Sequence, residues 1–126
     1  MKTLLVTLFV GITSISNADI FESLTNAIKA GSAKEISKYF NNSIDLTILS
    51  NEEVYSRAHA EQLIQDFFNK NSVKSFNIIH NGLSKEGAKF AIGKMVSTNG
   101  NNFRIYVLIR QTGSTEYIQE FRIEKE

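Results

Sequence analysis

The sequence predicts a single α+β domain in which the helices come first and an antiparallel sheet comes last. Three observations lead to this prediction. Apolar residues recur at helical spacing in the first half of the chain. After Lys70 they alternate with polar residues over four consecutive segments, which is the spacing of strands. The length of 126 residues suits one domain.

Composition excludes several classes of protein and of site. The chain contains no cysteine, which excludes disulfide scaffolds, thiolate zinc sites and cysteine nucleophiles. It contains only 2 histidines, so we expect neither a metal centre nor a cofactor. The formal net charge is +1, with 14 basic and 13 acidic residues, and this gives no basic surface for nucleic acid.

The first eighteen residues match a secretory signal peptide. Lys2 supplies the positive charge, residues 4–12 form the apolar stretch, and the small residues Ser16 and Ala18 precede the expected cut. The apolar stretch is shorter than the roughly 20 residues of a transmembrane helix, so we expect no stable membrane anchor. We therefore expect residues 1–18 to be removed on export and residues 19–126 to fold in the periplasm or outside a bacterial cell.

Start and stop signals place three helices. The capping boxes Asp19–Glu22 and Ser32–Glu35 open the first two. The first helix is predicted to end at Gly31, and the second to continue through Phe40. Ser56 can cap the third helix. Apolar residues at positions i, i+3, i+4, i+7 and i+8 give that helix the strongest pattern in the sequence: Ala60, Leu63, Ile64, Phe67 and Phe68.

Strand patterns occupy the remainder of the chain. A half-buried strand is predicted at 44–48 and a short strand at 54–55. Short turns join the four strands that follow the third helix, which is typical of an antiparallel meander: 73–81, 88–98, 103–111 and 115–124. The apolar faces of the last two strands match only if an odd-length loop or a bulge joins them. A three-residue turn at 112–114 meets this requirement.

This element order resembles that of the nuclear transport factor 2-like superfamily across residues 19–126. The likeness also includes Tyr55-Ser56-Arg57 before the third helix, Phe67-Phe68 near its end, and His80-Asn81-Gly82 at the end of a strand. The resemblance implies a curved, mainly antiparallel sheet with three N-terminal helices packed in its concave face, a cystatin-like cone with a pocket. Within the superfamily, the chain is similar to small exported bacterial members of unknown function.

The cone interior implied by this resemblance is apolar or phenolic. Its expected lining is Phe21, Leu24, Tyr39, Phe67, Phe90, Ile105, Val107 and Phe121. Such a lining suits a small apolar ligand, whereas an enzyme of this kind needs a base and an oxyanion donor in a dry cavity. His80 shares strand parity with Phe76 and Ile78, so it is the weak candidate for an inward-pointing base. We expect Asp45 to face solvent.

We therefore favour an exported, non-catalytic binding or scaffold domain over the alternative, a small hydrolase, isomerase or cyclase-like enzyme that uses His80. The outer face of the sheet offers a second binding surface. Tyr106 and Leu108 lie between charged residues of one strand, and we expect them to be joined there by Ala91, Gly93, Met95 and Ile118. An apolar centre with a charged rim is the composition of a homodimer interface, although both side chains could be ordinary surface residues.

Overall fold

The computed structural model describes residues 19–126, and the predicted signal peptide at 1–18 lies outside the described residues. Residues 19–126 form three α-helices: α1 (Ile20–Lys29), α2 (Ala33–Ser37) and α3 (Arg57–Lys70). The same residues form six strands: β1 (Phe40–Ile48), β2 (Asn51–Ser56), β3 (Val73–Leu83), β4 (Lys89–Ser97), β5 (Asn102–Thr112) and β6 (Thr115–Lys125). The predicted α+β order is confirmed. No helix within this part of the chain has the length and apolar character needed to cross a membrane.

The six strands form one curved sheet in the order β2-β1-β6-β5-β4-β3. All neighbouring pairs are antiparallel except β1 with β6, which run parallel. Helix α1 packs on β3 and α3 packs on β1, so the helices cover one side of the sheet, which we call the helix face. The other side is the open face. Along β5 every second residue is buried against the helices, which gives this strand the alternation expected of a half-covered sheet.

Helix α1 ends where the sequence predicts, in a Schellman motif. Gly31 adopts a φ of 64°, a left-handed conformation that glycine reaches without the steric cost of a Cβ. Its N–H donates to the carbonyl oxygen of Ile28 at 2.8 Å, and the N–H of Ser32 donates to that of Ala27 at 3.1 Å. The chain therefore turns at once into α2.

The start of α3 is also as predicted, but the end of α2 is not. The Ser56 hydroxyl oxygen accepts a hydrogen bond from the His59 N–H at 3.2 Å, which confirms the predicted cap. Helix α2 ends at Ser37, short of the predicted end, because Phe40 is the first residue of β1 and pairs with Ile118. Tertiary pairing has overridden the local helical pattern at Phe40.

Two bulges set which side chains reach which face. Strands β5 and β6 are joined by a two-residue turn, so the predicted three-residue turn is wrong. The pairing instead shifts between Leu108 and Ile109, which leaves Gln119 as an extra residue and lets Ile118 reach the core. A second shift leaves Ile79 as an extra residue in β3, with its side chain 55% exposed.

Gly93 of β4 lies under an aromatic ring. A Cβ atom built on Gly93 would be 2.3 Å from Cζ of Phe76 and 3.1 Å from the carbonyl oxygen of Asn77. Real Cβ atoms do not approach other atoms so closely. The Phe76 ring therefore packs directly on the backbone of β4, and only glycine permits this contact.

Replacing Gly93 with alanine should therefore destabilise the fold by about 1–3 kcal/mol, because the ring must move out of a filled core. Urea unfolding measures this change. The neighbouring exposed Lys94→Ala should change stability by less than about 0.5 kcal/mol. In a Phe76→Leu background, Gly93→Ala should lower the free energy of unfolding by less than it does in the wild type. An equal loss of stability in both backgrounds would contradict the contact.

Candidate functional site

Most of the predicted pocket-lining residues are core residues on the helix face. Five are buried: Leu24, Phe67, Ile105, Val107 and Phe121. Phe21 and Tyr39 are half-buried and pack against the same core. The Phe67 ring contacts that of Phe103 edge-on, with 4.9 Å between the centroids. These side chains contribute mainly to stability.

The space between α1 and strands β3 to β5 is nearly filled. Its cavity has a volume of about 10 Å³, room for about one water molecule. The Phe76 ring packs on the Gly93 backbone within this space. The lining is Leu24, Ile28, Phe76, Ile78, Ala91, Gly93, Ile105 and Val107. A small apolar ligand has no room between these side chains.

Phe90 lies on the open face, not in the interior. It pairs with Leu108, whose side chain points away from the helices. The alternation of β4 turns Ala91, Gly93 and Met95 toward the helix face and Phe90 and Ile92 toward the open face. The expected outer positions of four residues are therefore wrong, since all four are buried on the helix face: Ala91, Gly93, Met95 and Ile118.

His80 also lies on the open face. The bulge at Ile79 reverses the parity of β3, so that His80 points to the side opposite Phe76 and Ile78. Its ring is exposed and lies 5.4 Å from that of Phe90, centroid to centroid. The expectation that His80 points into the interior is wrong, and the enzyme hypothesis loses its predicted base.

The open face carries large apolar side chains on β4 and β5, of which four are neighbours, while Val96 is separated from them by Lys94 and Arg104. These side chains are each half-buried, and together we call them the open-face patch: Phe90, Ile92, Val96, Tyr106 and Leu108. The pairs Phe90–Leu108 and Ile92–Tyr106 are direct neighbours in the register. Tyr106 and Leu108 thus lie on the predicted face, but their apolar neighbours differ from the predicted ones.

A charged cluster borders the open-face patch on β6. The Arg122 guanidinium donates to the Glu120 carboxylate at 2.6 Å and lies 4.7 Å from the centre of the Tyr106 ring. Burial raises the pKa of Tyr106 above its ordinary value of 10.0. The Glu120 carboxylate raises it further, and the Arg122 guanidinium opposes both effects. The hydrogen bond to Glu120 raises the pKa of Arg122, so this cation stays charged.

Strand β1 adds two buried polar atoms beside this cluster. Asp45 pairs with Glu120 and Thr47 pairs with Arg122. Within residues 19–126, Oδ1 of Asp45 and Oγ1 of Thr47 are buried and have no hydrogen-bond partner. Thr47 is only 8% exposed. Leaving a buried polar atom unpaired costs about 1–3 kcal/mol, so a partner that donates here would be stabilising.

Asp45 lies on the open face, away from Ile44 and Leu46, but it is half-buried there, which the sequence did not indicate. The parallel pairing of β1 with β6 brings it beside Glu120, and no local pattern reveals that contact. In the described part of the chain, no group of three or more His, Cys, Asp or Glu side chains is placed to hold a metal ion.

The Tyr106 phenol should make stability fall at high pH. Because its pKa in the folded state is raised, the stability it contributes is complete below about pH 10 and is lost as the pH rises through the folded-state pKa. Urea unfolding across this range should therefore show a steeper loss for the wild type than for Tyr106→Phe. Glu120→Gln should lower the pKa of the phenol, measured by tyrosinate absorbance. Identical profiles for wild type and Tyr106→Phe would contradict this assignment.

Two crystal structures of DUF4783 family proteins are similar to this chain. The protein from Bacteroides fragilis YCH46 is 33% identical, with a TM-score of 0.77 over 86% of this chain and 100% of that one. The protein from Bacteroides ovatus ATCC 8483 is 33% identical, with a TM-score of 0.76 over 82% of this chain and 93% of that one. No curated protein matches the chain.

A more distant likeness concerns the fold alone. An NTF-2 like protein of unknown function from Silicibacter pomeroyi DSS-3 is 11% identical, with a TM-score of 0.58 over 83% of this chain and 88% of that one. This likeness confirms the predicted nuclear transport factor 2-like fold. The model of the family described as "Domain of unknown function (DUF4783)" matches residues 21–124. The chain therefore belongs to the DUF4783 family and has a nuclear transport factor 2-like fold.

Proposed function

We propose that this protein is an exported, non-catalytic scaffold domain that binds a second copy of itself through the open face. The observation that carries the proposal is the open-face patch, bordered by a charged cluster with two unpaired buried polar atoms. In this proposal the three helices lie in the concave side of a cone and fill it, so binding is a property of the sheet's other side.

The apolar part of the surface supports association. The open-face patch comprises five large side chains on two neighbouring strands, and its centre is the Ile92–Tyr106 pair. These side chains remain partly exposed, and contact of apolar surface with water is unfavourable. A second copy would cover the patch, and a charged rim around an apolar centre is the usual arrangement of such interfaces.

The charges support a second copy of this chain as the occupant. Strands β1 and β6 carry Asp45, Thr47 and Glu120 at one side of the open face. Strands β3 and β4 carry the exposed donors His80 and Lys94 at the other side. In a twofold dimer whose axis runs along the strands, each side of one copy faces the opposite side of the other. Donors of the second copy would then lie opposite the carboxylates of Asp45 and Glu120.

No observation on the described residues favours the enzyme hypothesis. The exposed His80 ring contacts Phe90, whose phenyl ring can neither donate nor accept a proton. The interior where a base and an oxyanion donor would have to meet is apolar and almost without free volume. Binding through a surface therefore fits the geometry better than chemistry in a cavity.

The Leu108→Glu substitution should convert a dimer into a monomer. It places a carboxylate at the centre of the interface, and twofold symmetry places a second one nearby. The dimer would therefore have to bury two like charges close together. Sedimentation at high micromolar concentration measures the association, and circular dichroism should stay unchanged.

The matched control is Leu83→Glu, because Leu83 is 78% exposed at the far end of β3, away from the open-face patch. It should leave the dimer intact. A wild-type chain that sediments as a monomer would contradict the proposal, and so would equal dissociation by both variants.

Export is the second part of the proposal and rests on the leader pattern at residues 1–18. Protein recovered from its own host should have the intact mass of a chain that begins at Asp19. Ala18→Phe should leave the leader attached, because the cleavage site requires a small residue there, whereas Asn17→Ala should be processed normally. Wild-type protein that keeps Met1 and stays in the cytoplasm would contradict export.

A further inference from the structure

A groove lies between the β1–β2 hairpin and the C-terminal half of α3. Its volume is about 290 Å³, against about 10 Å³ for the cavity under α1. The floor is apolar and consists of Leu46, Ile48, Leu63 and Phe67. Polar side chains form the rim: Asn51, Tyr55, Asp66, Lys70 and Asn71. The groove is on the helix face, so the proposed dimer leaves it open.

Leu49 forms one wall of the groove at a conformational cost. Leu49 lies in the two-residue turn between Ile48 and Asn51 and adopts a φ of 60°. A leucine in this left-handed region is strained, because its Cβ crowds the backbone. Its N–H donates to the carbonyl oxygen of Ile123 at 2.7 Å, which holds the turn in place. The side chain is nevertheless 47% exposed, so burial does not explain its position. The two-residue hairpin turn requires a positive φ at its first residue, so the turn fixes Leu49 beside the groove.

The rim carries opposite charges one helical turn apart. Asp66 and Lys70 are four residues apart on α3, which places their side chains side by side on the same helix face. Both are exposed, and neither forms an ion pair within 4.0 Å in the part of the chain that the structure describes. The groove therefore combines an apolar floor with one free carboxylate and one free ammonium.

We propose that this groove binds a zwitterionic apolar dipeptide. Its ammonium group would pair with Asp66, its carboxylate with Lys70, and its two apolar side chains would cover the floor between α3 and Leu49. An extended dipeptide spans roughly 7 Å, which is close to the spacing of side chains one helical turn apart. The inference adds a ligand to the proposed scaffold and stands independently of the dimer.

Titration calorimetry with leucyl-leucine tests this inference, with amide shifts in NMR spectra to locate the peptide. We expect shifts at Leu49 and along the groove side of α3. N-acetylation or C-terminal amidation of the peptide should each weaken binding about tenfold, since each removes one charged hydrogen-bonding group. Asp66→Asn should weaken binding of the free peptide but not of the acetylated peptide. Lys70→Gln should weaken binding of the free peptide but not of the amidated peptide.

Two further variants separate binding from folding. Lys34→Gln removes an exposed lysine of α2 outside the groove and should leave the affinity unchanged. Leu49→Gly should relieve the backbone strain and remove the wall, so the midpoint of urea unfolding should rise while the affinity falls several-fold. No heat of binding at millimolar peptide, shifts confined to the open face, or equal binding of the blocked peptides would each overturn the inference.

Discussion

The contact between the Phe76 ring and the backbone of Gly93 determines how the interior between α1 and the sheet is filled. The ring fills the space under α1, so the interior works as packed core and not as a receptor. On β4 the ring lies over Gly93, with Met95 buried beside Phe76, while Phe90 and Ile92 are turned toward the open face. These open-face side chains stay partly in contact with water, which is unfavourable for apolar surface.

The order and type of the elements followed from local signals in the sequence. The apolar spacing of α3 and its Ser56 cap are short-range properties, and both are present in the structure. Which face of the sheet each side chain occupies is harder to predict from the sequence. An extra residue such as Ile79 reverses every later side chain, and the alternation of β3 does not distinguish it from an ordinary strand residue. For β5 and β6 the alternation indicated an odd-length loop or a bulge, but not which of the two, and the structure has the bulge at Gln119. The error at His80 follows from the bulge at Ile79, whereas Phe90 lies in a strand without an extra residue and was assigned to the wrong face of it.

The charged cluster could not be predicted for a different reason. Asp45 and Glu120 are far apart along the chain and become neighbours only because β1 inserts beside β6 in parallel. Pairing of the first strand with the last depends on the whole topology of the sheet. Sequence patterns that extend over a few residues contain no information about it. The groove at α3 could not be predicted from local patterns either, because its two walls come from separate elements.

The bulge at Ile79 has a consequence for the edges of the sheet. Strands β2 and β3 each have one side without a neighbouring strand, and such edges can pair with the edges of other molecules and start aggregation. The extra residue interrupts the regular hydrogen-bonding row of β3, and the adjacent Glu52 and Glu53 place like charges along β2. Both edges therefore resist extension into a continuous sheet. The partly exposed apolar side chains of the open face thus lie in a sheet whose two edges both oppose pairing with another sheet.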